Sequence, residues 1–163
     1  MGFRRKGREY ALQLLFQADV GERARREAVS PTRFEAFWAQ RNASADVRAF
    51  AEALVRGVET RAADVDRILE RHAHHWSLER MAAVDRNVLR LAVYELFYLT
   101  DVPPRVALNE AIDIAKKYGS EESGRFVNGV LDDILKTEPA LQSRRDASDH
   151  IEAPRSTLRG ASM

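Results

Sequence analysis

Hydrophobic and polar positions along this chain recur with a period of about 3.6 residues, and strand-like alternation is almost absent, so the pattern predicts an all-α fold. Residues 8–18 place Ala11, Leu12, Leu14, Leu15, Phe16 and Ala18 on one broad apolar face. A polar connection follows over residues 21–29. Ser30-Pro31 predicts a helix start, with serine as N-cap and proline at the first helical position, where its missing N–H is not needed. The segment opened there buries Phe34, Phe37 and Trp38. From about Ala45 a longer helix shows Val47, Phe50, Ala51, Leu54 and Val58. It resumes as Val65, Ile68 and Leu69 after a bend or break over residues 60–64. Ser77 is placed to cap a short turn through Met81.

Three further helical patterns come in close succession, at residues 85–99, 107–118 and 121–135, joined by Asp101-Val102-Pro103-Pro104 and by Gly119-Ser120. In the first, Val88, Leu89, Leu91, Ala92, Val93, Leu96 and Phe97 occupy most of the circumference, which marks a helix enclosed by others. Glu95 lies within that apolar arc. A carboxylate there is costly unless it meets donors, so neighbouring helices must supply them. In the last pattern Val127, Val130, Leu131 and Ile134 define the buried arc, Phe126 falls at its edge and Arg125 on the far side. Pro139 closes it. Beyond it the chain turns polar and loses periodicity, which predicts one domain over residues 1–136 and a mostly disordered tail over 137–163.

Composition narrows the function classes. With 163 residues, 45% hydrophobic and 31% charged, the chain has enough material for one core. Its 26 basic and 25 acidic residues leave a net charge of +1, which argues against a general nucleic-acid coat but not against a local patch. The absence of cysteine excludes disulfides, thiol catalysis and Cys-ligated metal. No apolar run approaches the roughly 20 residues of a membrane span, so a soluble cytoplasmic protein is expected. No phosphate loop, serine elbow or HExxH pattern suggests catalysis or a cofactor. His72 and His74, two positions apart, point away from each other on a helix, which predicts solvated imidazoles and no metal site.

The N-terminus differs in kind. Arg4, Arg5, Lys6 and Arg8 put four cations before or on the first helical turn, where one flexible arm can meet several phosphates. Arg125 beside Phe126 adds a cation next to a rim aromatic, the combination that stacks an unpaired base and holds its phosphate. A solvated basic end and ordinary core packing are the plainer readings of these two features.

Leu89-Arg90-Leu91-Ala92-Val93-Tyr94-Glu95-Leu96, Asp101-Val102-Pro103, Leu108-Asn109-Glu110-Ala111 and Phe126-Val127-Asn128-Gly129-Val130-Leu131-Asp132, in this order, closely resemble the NusB transcription antitermination factors. The likeness extends to Arg5-Lys6-Gly7-Arg8-Glu9 and Trp76-Ser77-Leu78-Glu79-Arg80, and so covers residues 4–135.

The resemblance implies a bundle of seven helices in two subdomains, without enzyme activity or cofactor. It implies pairing with NusE, a small-subunit ribosomal protein, and binding of the pair to single-stranded boxA RNA in nascent ribosomal-RNA transcripts. Other Nus factors and RNA polymerase complete the implied assembly, which resists termination. Carried over by motif, the RNA face comprises Arg4, Arg5, Lys6, Arg8, Trp76, Glu79, Arg80, Glu122, Arg125 and Phe126. The NusE face adjoins Asp85 and Arg90, and Glu95, Asn109 and Asn128 are structural polar groups. Two other readings stay open. One is a stand-alone RNA-recognition module akin to the domain fused to ribosomal-RNA cytosine methyltransferases, disfavoured because no nucleotide-binding α/β domain follows residue 135. The other is a homodimeric interaction scaffold.

Overall fold

Seven helices run through residues 2–21 and 28–142, the part of the chain that the structure, a computed structural model, describes. They are α1 (Gly2–Val20), α2 (Pro31–Ala39), α3 (Ala45–Thr60), α4 (Ala62–His72), α5 (Ala83–Tyr98), α6 (Pro104–Tyr118) and α7 (Glu121–Thr137), with 3-10 turns at Leu78–Arg80 and Pro139–Leu141. Three of them begin at a serine whose side-chain oxygen accepts a free N–H of the first turn: Ser30 from Arg33, Ser44 from Val47 and Ser120 from Ser123. The bend expected near residue 60 is a break at Arg61, which caps both α3 and α4.

The enclosed helix predicted around residues 85–99 is α5. It packs against α1, α3, α4, α6 and α7, which makes it the central helix of the bundle. Leu89 and Val93 have no exposed surface there. Two glycines set how closely the helices approach. A Cβ on Gly7 would lie 2.5 Å from a ring carbon of Phe50, bringing α1 onto α3. A Cβ on Gly57 would lie 2.1 Å from Cζ of Tyr94, bringing α3 onto α5. Helix α2 is held by its aromatics, with Tyr10 meeting Phe37 and Trp38 edge-on at 5.9 and 5.3 Å.

Some expectations change. The basic N-terminal cluster is not a flexible arm, because α1 begins at Gly2 and carries it in its first turns. Asn109 and Asn128, expected as structural amides, are exposed: the buried faces of α6 and α7 are filled by Ala107, Leu108, Ala111 and by Val127, Val130, Leu131. The ordered chain runs past residue 136, since α7 extends to Thr137 and Leu141 is buried in the core. The rest of the expected tail, residues 143–163, and most of the polar connection, residues 22–27, lie outside the described residues.

A polar network joins α1, α4, α5 and the first 3-10 turn. Asp19 accepts from Arg86 Nε at 2.8 Å and from Asn87 Nδ2 at 2.9 Å, while Arg86 Nη1 donates to the carbonyls of Leu78 and Met81. Arg90, expected at a partner surface, is committed inside this network: its Nε donates to Asp66 at 2.9 Å, and its side chain is only 14% exposed. Burial pushes the Asp19 carboxyl up, but the bonds from Asn87 and Arg86 and the charges of Arg86 and Arg90 outweigh it and hold it below its ordinary 3.8. A depressed carboxylate stabilises the fold above the unfolded-state value, and that contribution is lost as pH falls through the folded one. Acid unfolding followed by circular dichroism is therefore expected to be shallower in Asp19→Asn than in the parent below about pH 4. Equal acid limbs would show that the network does not hold the carboxylate.

Candidate nucleic-acid interface

The segment after α4, the first turn of α5 and the start of α7 build a cleft. After His72, Ala73 is buried and its carbonyl accepts from Trp76 N–H at 3.0 Å, so the chain turns sharply and leaves the indole 54% exposed. Leu78 then anchors the 3-10 turn in the core. Across from it, Ser120 caps α7, and Glu121 and Glu122 in the first turn complement the positive end of the helix dipole. Phe126, half-buried on the next turn, meets Trp76 edge-to-face with centroids 6.4 Å apart. The two rings form one end of a cleft of about 390 Å³ lined also by Arg80, Met81, Ala82, Asp85, Ser120, Glu122 and Ser123.

Of the residues predicted for RNA, Trp76, Arg80, Glu122 and Phe126 come together here, whereas Glu79 and Arg125 are exposed on the same segments without lining the cleft. Asp85, expected at a protein-partner face, lines the same cleft. Its Oδ1 is shut off from solvent without a hydrogen-bond partner. Sequence reasoning missed Ser120 and Ser123, whose hydroxyls lie 3.3 Å apart. The serine beside Gly119 was the available signal.

The cluster at the N-terminus is largely neutralised by carboxylates. Arg4 pairs with Asp101 at 2.7 Å, and Arg5 with Glu110 and Asp113. Arg8 is buried, and its Nε donates to Glu95 at 2.8 Å, which supplies the donor that Glu95 requires. Arg8 is thereby removed from the surface on which phosphate contacts were expected. Lys6 alone of the four is exposed as a residue.

His74 is exposed as expected, but His72 departs from expectation. His72 is not solvated: its Nδ1 lies 2.6 Å from Asp133 and its Nε2 2.7 Å from Glu138. The hydrogen bond to His72 draws the Asp133 carboxyl below its ordinary value, helped by the charges of His72 and His74. Asp133 stands seven positions after Phe126, two turns on along the same face of α7. The turn after α4 is thus fixed to that face by His72 on one side and Trp76 on the other.

Fold and cleft together define a strand-free seven-helix domain, among the described residues, with aromatic and charged side chains gathered at one junction. The NusB family model matches residues 5–136, and the chain belongs to that family. It is 44% identical over 138 residues to the transcription antitermination protein NusB of Myxococcus xanthus, a match covering 82% of this chain and 95% of that protein. The fold is similar to that of T. maritima NusB, with a TM-score of 0.73 and 36% identity over 88% of this chain and 96% of the other. It is also similar to a chain in a crystal structure of the antitermination factors NusB and NusE in complex with dsRNA. There the TM-score is 0.71 and the identity 32%, over 83% of this chain and 98% of the other. Among the described residues no helix is long and apolar enough to cross a membrane.

Proposed function

We propose that this protein is a cytoplasmic transcription antitermination factor that binds boxA RNA of nascent ribosomal-RNA transcripts together with NusE, and that it is not an enzyme. The observation that carries the reading is the Trp76–Phe126 pair set beside Arg80, Glu122 and Asp85 in a chain of this family. Aromatic edges and faces take up unstacked bases, cations hold phosphates, and carboxylates accept from base amino groups. One aromatic pair and a few cations give modest affinity, so the reading requires a protein partner that adds contacts and raises binding cooperatively. NusE fills that role in this reading, with other Nus factors and RNA polymerase completing the assembly.

The test is fluorescence anisotropy with boxA and scrambled RNA, with and without NusE, at several salt concentrations. Tighter binding to boxA, strengthened by NusE, is the expected result. Equal binding of the two RNAs by the pair overturns the assignment.

A further inference from the structure

The chain's basic surface is divided in an uneven way. The arginines of α1 face carboxylates, whereas Arg41, Arg48 and Arg56 are in no ion pair with the described residues. They line a groove of about 550 Å³ between α2 and α3, walled by the aromatic rings of Phe34 and Trp38. Each guanidinium is backed by an aromatic ring. Arg41 Cζ lies 3.5 Å from the Phe37 centroid, Arg56 Cζ 4.9 Å from that of Phe34, and Arg48 Cζ 5.9 Å from that of Trp38. Two are fixed further by backbone, since Arg41 Nη1 donates to the Phe37 carbonyl at 2.8 Å and Arg48 Nε to the Ala43 carbonyl at 3.0 Å.

A guanidinium backed by a ring keeps its remaining N–H groups for a ligand and is ordered before the ligand arrives. Two carboxylates share the groove. Glu52 accepts from Trp38 Nε1 at 2.9 Å and so orients the indole, while Glu35 is exposed. Cations therefore outnumber anions among the lining residues, and the cations are the preorganised set.

We propose that the α2–α3 groove is a second RNA site, in which Arg41, Arg48 and Arg56 hold phosphates of a single strand above the buried ring of Trp38. Arginines along one groove suit a repeating phosphodiester, and the exposed guanidinium planes of Arg48 and Arg56, held over buried rings, suit the unpaired bases between the phosphates. The site is separate from the Trp76–Phe126 cleft and does not depend on boxA preference.

The chain has two tryptophans, one in each place, which permits a direct test. In Trp76→Phe, Trp38 is the only indole and its emission reports on the groove. Titration with a short labelled oligouridylate is expected to change Trp38 emission in parallel with the anisotropy of the label. Adding Arg48→Gln and Arg56→Gln, both on exposed positions, is expected to abolish that change. It should also flatten the slope of log affinity against log salt by about 1.4, roughly 0.7 for each lost contact. Unchanged Trp38 emission at saturating RNA overturns the proposal whatever becomes of the arginine variant. An unaltered salt slope in a correctly folded variant does so as well. The same emission change produced by inorganic phosphate or uridine monophosphate at equal phosphate concentration would make this a small-anion site and likewise overturn it. Failure of boxA recognition leaves these readouts intact, so the two proposals fail separately.

Discussion

Arg8→Met is expected to lower the stability of the fold by about 3–5 kcal/mol, because it leaves the Glu95 carboxylate buried without its donor. Both side chains are almost wholly enclosed, at 5% and 3% exposure, so water cannot replace either partner. Glu110 would make matters worse, since it also lies near the Arg8 guanidinium and its charge opposes ionisation of Glu95. Glu95→Leu is expected to cost less, since Glu110 still lies 3.8 Å from the guanidinium. The double variant Arg8→Met with Glu95→Leu should recover much of the loss, since a packed apolar pair of similar volume carries no desolvation penalty. Urea midpoints of the four proteins check this. Single variants as stable as the parent would place the pair at the surface.

The same pair has a pH signature. Burial raises the Glu95 carboxyl above its ordinary 4.5, and the bond and charge from Arg8 only partly offset that. A raised carboxyl binds its proton more tightly in the folded than in the unfolded state, so stability falls as pH rises through the folded value. The sign is opposite to that of Asp19. In Arg8→Met, where the offset is gone, the fall should be steeper than in the parent.

Phe126→Ala is expected to weaken boxA binding about 5–150-fold, corresponding to a stacking contribution of roughly 1–3 kcal/mol, without altering the salt slope. Arg80→Gln should do the reverse, with a smaller loss of affinity and a slope flatter by about 0.7. Because Phe126 packs against Trp76, the comparison needs a thermal melt of the free protein beside the anisotropy. A folded Phe126→Ala protein that binds boxA as tightly as the parent removes the aromatic pair from the interface.

The helices were legible because periodicity and capping are local. Ser30-Pro31, the enclosed α5 and the rim position of Phe126 all follow from residues within a few turns of one another. What the chain does not display locally is which group stands across an interface. Four nearby cations read as free for phosphate, yet the carboxylates that meet Arg5 and Arg8 lie on α5 and α6. Asn109 and Asn128 sit within family motifs, and only the rotation of α6 and α7 shows that they face solvent. His72 read as solvated because Asp133 and Glu138 come from α7 and the segment after it. Leu141 escaped notice for a different reason: one apolar residue after a proline makes no period, but it fills a place in the core.

The ion pairs of the first turn also set a clock. The apolar face of α1 has α3 to pack against once residue 60 has been made. Its charged face has to wait, because the partners of Arg5 and Arg8 stand 87 to 108 positions further along the chain. At about 5–20 residues per second on the ribosome, that is a delay of roughly 5–20 seconds. Helix α1 therefore gains its charged contacts later than its apolar ones, and they are complete once α6 has emerged.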